Sequence, residues 1–570
     1  MGAERIAIRE KAYGIWQTYS WRDYFRYVKL VGLGLILLGH EKGENVGLIL
    51  ENDPEWLFAE LGAQSVQGVV LPLFTSAVAK ELVQGLNRIE AAYVFAQDQE
   101  QVDKLLACKE DLPHLKRVIY TDPTGMRTYV DNPWLISFRQ LLDMGEELNK
   151  EQPELYNERV WEGKPDDITP TAWIVDQMWG VGVTLCGGLA MNFPETFETA
   201  SDDFRDIGPT VIITSSRFWE DLASEIRVKI NDSGFIKRRL YNLFQNIGKE
   251  IVDLQSEKKE IPARLKALRW AGMRLVSRPL LDRVGCLNLR AAYTGGHPIS
   301  PDVIRFFRAN GLNLKQCYGL TETCGIFQVQ PDEEVKPETV GKPLPGTEIK
   351  ITEDQEVLVL SKSNFVGYYQ DPEATAEALK DGWFRTGDAA YLDDDGHLII
   401  IGRKQDIMRT REGEAFSPDF IETRLKFSPY IKEAVIWGEG KNYLTAFVNI
   451  DFGNVGNWAE ERKIPYTTYT DLSQQPAVEE LIRGEVTEVN NQLPDAMKLQ
   501  KIILLYKLLD ADDEELTRTG KVRRMFVFKQ YKELIDAMYS DKTELPIKGQ
   551  VRYRDGTVGT IETTVRILTV

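Results

Sequence analysis

The chain has 570 residues, 43% of them hydrophobic, which is more core than one ordinary domain needs and predicts two or three domains. Its 87 acidic and 69 basic residues give a net charge of −18. Because binding along a phosphate backbone needs a basic excess, this charge argues against a nucleic-acid partner. A local pocket can still bind a nucleotide.

The cysteines and the N-terminus indicate the cellular compartment. Five cysteines are scattered without paired spacing, which supports neither a disulfide framework nor a zinc site. No apolar segment of secretory type follows Met1-Gly2. We therefore expect a cytoplasmic protein.

Residues 29–120 alternate helical patterns with short apolar strands. The most apolar early run, Leu30–Leu38, is too short to span a bilayer, so a core helix is favoured over a helix at a membrane surface. Peripheral membrane contact stays open as the alternative. Alternating strands and helices predict an α/β fold with a doubly wound parallel sheet, which binds ligands beyond the carboxyl ends of its strands. The predicted strands are Val46–Leu50, Gly68–Leu73, Ala92–Ala96 and Arg117–Tyr120.

A second strand and helix series follows, with a glycine pair at its centre. Residues 208–214 predict a strand, and a helix begins near Ser215. Residues 292–301 read AYTGGHPISP, which predicts a strand, a double glycine and a helix with Ser300 and Pro301 as N-cap and first residue.

Residues 316–325 read QCYGLTETCG and combine a hydroxyl with a carboxylate. The apolar run at 311–314 predicts a brief buried strand, and Gly319 then predicts a turn that presents the next side chains. Thr321 can donate to a phosphate oxygen, and Glu322 is a hard oxygen ligand suited to Mg²⁺. A plain turn with a solvated glutamate is the alternative interpretation.

Further along, alternating residues at 347–360 predict a small β subdomain, which Gly367–Tyr369 is expected to continue. Residues 383–388 read WFRTGD and place Asp388 in a loop after a strand, while Arg403 follows a predicted strand at 397–401. A carboxylate and a guanidinium suit the two hydroxyls of a ribose. A surface salt bridge is the alternative.

The C-terminal region contains a basic loop and a hairpin. Residues 516–524 read LTRTGKVRR, in which Gly520 allows close approach of Lys521 to a ligand; a solvated basic turn is the alternative. Residues 550–561 alternate about an Asp-Gly pair and predict a β-hairpin.

Taken in this order, the motifs resemble the adenylate-forming superfamily of AMP-binding enzymes, and most nearly bacterial long-chain acyl-CoA synthetases. The resemblance implies an N-terminal AMP-binding domain at 1–402, a hinge at 403–406, a smaller α+β lid domain at 407–535 and a C-terminal extension at 536–570. It implies an ATP-dependent ligase that joins a fatty acid, or another carboxylic acid, to CoA through an acyl-adenylate, with Mg²⁺ as cofactor.

The resemblance also implies the site residues. The catalytic residues would be Lys521, Glu322 and Thr321, with Glu322 as metal ligand. The nucleotide, ATP or AMP, would contact Gly295, Gly296, His297, Pro298, Tyr318, Gly319, Thr321, Asp388 and Arg403.

One family element does not occur in the sequence. Members carry a phosphate-binding loop of the form YTSGTTGxPKG after a strand, but here the chain passes from Ile168 almost directly to Pro170. Four hypotheses remain open: a CoA ligase, an enzyme that passes the acyl group to a carrier protein, a binding protein without turnover, and an incomplete gene product.

Overall fold

The computed structural model describes residues 2–163, 175–196, 198–491, 493, 495–510, 514–516, 522–552 and 558–570. The chain divides into two compact units, Met1–Ile207 and Gly208–Val570. Both units mix sheets with helices, which confirms the predicted α/β class. The junction at 168–170 lies outside the described residues.

The first unit is built on a parallel sheet with the strand order β4-β3-β5-β6-β7. All four strands predicted in this region are confirmed, because they correspond to β3 to β6. A smaller sheet has the order β2-β1-β8. The strands are β1 Ile6–Ala12, β2 Ile15–Ser20, β3 Asn45–Ile49, β4 Val69–Pro72, β5 Tyr93–Ala96, β6 Arg117–Tyr120, β7 Leu135–Ser137 and β8 Met191–Phe193. The helices are α1 Trp21–Leu37, α2 Pro54–Ser65, α3 Ala79–Arg88, α4 Gln99–Ala107, α5 Phe138–Glu151, α6 Leu155–Trp161, α7 Thr184–Gly187 and α8 Ala200–Ile207.

Helix α1 carries the most apolar early run, and it belongs to the core. Leu30, Val31, Leu33 and Leu35 are buried, and Ser20 caps the helix by accepting from the Asp23 amide. The preference for a core helix is therefore confirmed. In the part of the chain that is described, no helix has the length and apolar character needed to cross a bilayer.

The second unit begins with a mixed sheet of order β13-β12-β11-β10-β9. Its strands β9, β10 and β11 are parallel, and β12 and β13 add antiparallel pairs. These strands are β9 Val211–Thr214, β10 Ala291–Thr294, β11 Leu314–Leu320, β12 Gly325–Val329 and β13 Lys342–Pro343. The accompanying helices are α9 Ser216–Asn231, α10 Phe235–Ser256, α11 Ala263–Gly272, α12 Arg278–Arg283 and α13 Pro301–Ala309, the last capped by Ser300 as predicted.

The predicted small β subdomain is present, with the order β14-β15-β17-β16 and β18 paired to β17. Its core is formed by buried aliphatic side chains such as Val357, Val359 and Leu398. Its elements are β14 Thr347–Ile351, β15 Glu356–Ser361, helix α14 Pro372–Ala378, β16 Leu379–Lys380, β17 Trp383–Leu392 and β18 Leu398–Arg403.

The last part of the unit holds a sheet of order β21-β22-β23-β25-β24. The predicted hairpin is confirmed as β24 and β25, and Ile567 to Thr569 of β25 pair with β23, so the hairpin is part of this sheet. Its tip at 553–557 lies outside the described residues. The elements are β19 Met408–Arg409, β20 Ala415–Phe416, α15 Pro418–Leu425, β21 Ile431–Trp437, β22 Leu444–Ile450, α16 Phe452–Glu461, α17 Tyr469–Ser473, α18 Pro476–Asn490, β23 Leu499–Leu504, α19 Arg524–Gln530, α20 Lys532–Met538, β24 Glu544–Arg552 and β25 Val558–Thr569.

Three local predictions in this unit are wrong. The strand expected at 311–314 begins only at Leu314 and continues through Gly319, so the turn comes at Thr321. Asp388, predicted in a loop, lies within β17, and Arg403, predicted to follow a strand, is the last residue of β18. Tyr368 lies outside the named strands and forms an isolated bridge with Asp371. In the first two cases strand pairing overrode the local glycine signal, because β11 pairs with β12 and β17 pairs with β18 at these residues.

Candidate functional site

The carboxyl ends of three parallel strands carry a row of polar residues. Thr214, Thr294 and Gln316 are register partners across β9, β10 and β11. Thr294 is fully buried, and its hydroxyl makes no hydrogen bond within the described ranges. An unsatisfied hydroxyl at this edge suits a polar ligand, because parallel sheets bind ligands beyond the carboxyl ends of their strands.

The glycine pair that follows β10 is required by its surroundings. A Cβ at Gly295 would lie 2.8 Å from Cys317 Sγ, and Gly296 has a φ of +83°, which favours glycine. Gly296, His297 and Pro298 are exposed. The glycine pair therefore leaves its own backbone groups uncovered by a side chain of either glycine.

The turn after β11 presents Thr321 and Glu322. Gly319 permits this geometry by close approach, since a Cβ there would lie 2.1 Å from the Gly325 carbonyl oxygen. Thr323 is buried and donates to that same oxygen over 2.8 Å. Thr321 is exposed and Glu322 is half-buried, so the hydroxyl and the carboxylate both remain accessible.

A carboxylate, a guanidinium and a phenol meet beside this turn. Asp388 and Arg403 are register partners in the β17–β18 hairpin, and Arg403 Nε lies 3.1 Å from Asp388 Oδ1. The Tyr318 hydroxyl donates to Asp388 Oδ2 over 2.5 Å. Asp388 is 6% exposed, so its charge is compensated inside the protein.

Burial and a nearby charge keep the Tyr318 hydroxyl protonated. Burial and then the Asp388 carboxylate raise the pKa of Tyr318 well above its usual range. The phenol therefore remains a donor at neutral pH. Arg403 also donates to the Thr386 carbonyl over 3.0 Å, which fixes its guanidinium beside Asp388. A carboxylate accepts hydrogen bonds at two oxygens, which suits the two hydroxyls of a ribose.

The residues that could hold a metal are few. Within the described ranges, no three histidine, cysteine or carboxylate side chains are grouped closely enough to hold an ion by themselves. Mg²⁺ is often bound by one or two carboxylates together with substrate phosphates and water. Glu322 is a single accessible carboxylate of the kind that such a site uses.

The segment around the predicted catalytic lysine is described only at its base. Lys521 itself lies outside the described residues. Leu516 and Val522 form an isolated antiparallel bridge, and the Arg523 amide donates to the Glu515 carbonyl over 2.8 Å. These contacts join the chain just before and just after residues 517–521.

Two buried ionic groups anchor this base. The fully buried Glu515 pairs with Lys507 over 2.9 Å and accepts from the Tyr531 hydroxyl over 2.7 Å. Arg524 binds both carboxylate oxygens of Glu422, and it lies 2.9 Å from Asp419 Oδ1. Burial alone would lower the pKa of Arg524, but the two carboxylates outweigh it and raise that pKa.

Comparison with known proteins gives the family. The family model of the AMP-binding enzyme matches residues 2–154 and 149–369, and that of the AMP-binding enzyme C-terminal domain matches 405–543. The chain belongs to the AMP-binding enzymes. This confirms the resemblance to the adenylate-forming superfamily.

Relatives within the AMP-binding family include named ligases. The long-chain-fatty-acid–CoA ligase FadD15 of Mycobacterium bovis is 26% identical over 92% of this chain and 93% of its own length. The long-chain-fatty-acid–CoA ligase ACSBG2 of Xenopus laevis is 25% identical over 94% of this chain and 82% of its own length.

Solved structures of AMP-binding enzymes share the fold. The adenylation domain of a carboxylate reductase from Mycobacterium chelonae has a TM-score of 0.68 at 16% identity, over 94% of this chain and 89% of that one. The anthranilate CoA ligase AuaEII, solved with anthranoyl-AMP, has a TM-score of 0.64 at 17% identity, over 94% and 95%.

The structure brings part of the predicted AMP-binding site together. Tyr318, Asp388 and Arg403 are in contact, and Thr321 and Glu322 share the turn that follows Tyr318. The sequence interpretation missed Tyr368, whose hydroxyl donates to Glu322 over 2.9 Å. It also missed the anchoring contacts of Glu515 and Arg524, which depend on how the chain folds. Arg524 lies within the motif at 516–524, and Glu515 directly precedes it.

Proposed function

We propose that this AMP-binding enzyme activates a fatty acid as an acyl-adenylate and transfers the acyl group to CoA. The contact of Tyr318, Asp388 and Arg403 at the carboxyl edge of a parallel sheet carries the proposal, because it supplies a charge-compensated carboxylate for a ribose. The FadD15 and ACSBG2 relatives support the choice of a long-chain fatty acid and CoA as substrates.

The proposed roles follow from the chemistry of each group. Asp388 accepts from the ribose hydroxyls, Arg403 holds Asp388 in place, and Thr321 donates to a phosphate oxygen. The backbone at Gly295, Gly296, His297 and Pro298 borders the nucleotide, together with Tyr318 and Gly319. We propose Lys521 as the group that neutralises charge developing between the carboxylate and the α-phosphate.

The proposed reaction has two steps. A fatty-acid carboxylate oxygen attacks the α-phosphorus of ATP, and pyrophosphate leaves. The CoA thiol then attacks the acyl carbonyl carbon, and AMP leaves as the carbon–sulfur bond forms. Mg²⁺ at Glu322 would supply charge neutralisation to the phosphates. The half-buried Glu322 side chain would provide a carboxylate oxygen as the ligand.

We propose the domain division 1–402, a hinge at 403–406, a lid at 407–535 and an extension at 536–570. The match of the C-terminal family model to 405–543 supports the start of the lid.

We also propose a cytoplasmic setting with peripheral membrane contact as an open possibility; five free cysteines suit a reducing compartment.

A second candidate is a homologue impaired in the first step, or one that passes its acyl group to a carrier protein. The absent YTSGTTG-type sequence favours impairment. The 565-position comparison with FadD15 uses 92% of the 570 residues here, so several dozen of its positions are gaps in this chain. A lost segment would leave gaps of this kind.

Half reactions test the proposal. Pyrophosphate release from ATP and a fatty acid should fall by about 10²–10³ in Lys521→Ala. Thioester formation from synthetic acyl-adenylate and CoA should tolerate Lys521→Ala better, because we propose that the lid rotates about the hinge at 403–406 before this step and moves Lys521 away. Release that is robust and unaffected by Lys521→Ala would contradict the proposed site. Acyl transfer to a carrier protein but not to CoA would favour the second candidate.

A further inference from the structure

A tyrosine from the β subdomain reaches the proposed metal ligand. The Tyr368 hydroxyl donates a hydrogen bond to Glu322 Oε1 over 2.9 Å, although 46 positions separate the two residues. Tyr368 is 39% exposed and Glu322 is half-buried. The bond uses one carboxylate oxygen and leaves the lone pairs of Oε2 for another partner.

The segment that carries Tyr368 is braced against the same turn. The Phe365 amide donates to the Glu322 carbonyl oxygen over 2.7 Å. The Phe365 ring meets the Tyr368 ring edge-on at 4.8 Å and the buried Phe384 ring at 5.6 Å. Backbone and side chain of Glu322 are thus both held from this segment.

The backbone at Tyr368 is itself held by α14. The Tyr368 amide donates to Thr375 Oγ1 over 2.8 Å, and that hydroxyl donates to the Asp371 carbonyl over 2.7 Å. Gly367 has a φ of +151°, and a Cβ there would lie 2.7 Å from Thr375 Cγ2. Glycine therefore lets this segment approach α14 closely, where Thr375 binds the Tyr368 amide.

We propose that Tyr368 is a positioning residue that orients the Glu322 carboxylate for a divalent cation. The inference rests on the proposed function, in which Glu322 is a metal ligand. A hydrogen bond to Oε1 restricts rotation of the carboxylate and presents Oε2 outward. Carboxylates that bind metals are commonly held by such partners.

The test measures how much Mg²⁺ strengthens ATP binding. Calorimetry on the full chain gives the ATP affinity with Mg²⁺ and with EDTA, and the ratio is the metal enhancement. We expect Glu322→Gln to abolish the enhancement and Tyr368→Phe to reduce it about threefold to tenfold. Tyr369→Phe is the matched control, because Tyr369 is also 39% exposed, and it should match the wild type.

The other outcomes separate the inference from the proposed function. In the double variant Glu322→Gln/Tyr368→Phe, the enhancement should equal that of Glu322→Gln, because Tyr368 acts through Glu322. An enhancement that Tyr368→Phe leaves intact while Glu322→Gln abolishes it overturns the inference alone. An enhancement that survives Glu322→Gln contradicts the metal role of Glu322, and with it the inference. Equal losses in metal-free ATP and AMP affinity would show a merely structural role and overturn the inference.

Discussion

At the scale of single residues, the site depends on how one buried carboxylate is compensated. Asp388 is 6% exposed and lies between Arg403 and the Tyr318 hydroxyl. Taking a carboxylate out of water is costly unless donors surround it. Here the Arg403 guanidinium and the Tyr318 hydroxyl are two such donors.

Asp388→Asn should weaken AMP binding. The amide keeps the shape of the side chain but loses the charge, and a hydrogen bond to a charged group contributes about 1.5–3 kcal/mol. We expect the AMP dissociation constant from calorimetry to rise by roughly 10- to 100-fold. Asp394→Asn, at an exposed position in the same hairpin, should leave it unchanged. Equal affinities in both variants would refute a ribose role for Asp388.

At the scale of elements, adjacent arginines at the start of α19 have different environments. Arg524 has a side-chain exposure of 15% and binds Glu422, which has 7%. Glu422 Oε1 also accepts from the Ile436 amide over 2.8 Å. Arg523 has a side-chain exposure of 45%, and its partner Glu514 has 63%. Of these two pairs, the Arg524–Glu422 pair is the one that connects α19 with α15 and, through the Ile436 amide, with β21.

Arg524→Ala should therefore destabilise the C-terminal part of the chain far more than Arg523→Ala. Removing one partner of a buried pair leaves an uncompensated charge and costs about 3–5 kcal/mol. An exposed pair is worth roughly 0–1 kcal/mol. Urea denaturation of both variants gives the free energies of unfolding. If the two variants unfolded at the same urea concentration, Arg524 would not be the anchor that its contacts indicate.

At the scale of the whole molecule, different elements are proposed to hold different parts of the nucleotide. Gly295, Tyr318, Asp388 and Arg403 border adenine and ribose in the proposal, and all are present. The family loop for the β- and γ-phosphates does not occur in the sequence. Glu322 and Thr321 remain as the proposed contacts on the phosphate side.

ATP should therefore bind the full chain little more tightly than AMP. The extra phosphates bring charge but meet few fixed donors, so we expect affinities within about tenfold of each other by calorimetry. Adenosine serves as the control, because it tests the base and ribose contacts alone. ATP affinity far above that of AMP would mean that another segment binds the phosphates.

Much of the architecture could be predicted from local signals. Alternating strand and helix patterns predicted the α/β class, and Ser300-Pro301 predicted the start of α13. Both depend on short-range backbone preferences, which a sequence displays directly. The order of the motifs was also sufficient to predict the family.

The tertiary structure decided where the glycine-containing motifs lie and what they contact. Gly319 indicated a turn, yet pairing of β11 with β12 holds it in a strand, where close approach to the Gly325 carbonyl explains the glycine. The Asp388–Arg403 pair follows from strand register, and the Tyr368–Glu322 bond follows from packing of separate segments. The sequence by itself determined which elements form and to which family they belong. Contacts between distant residues depend on register and packing, which only the folded chain determines.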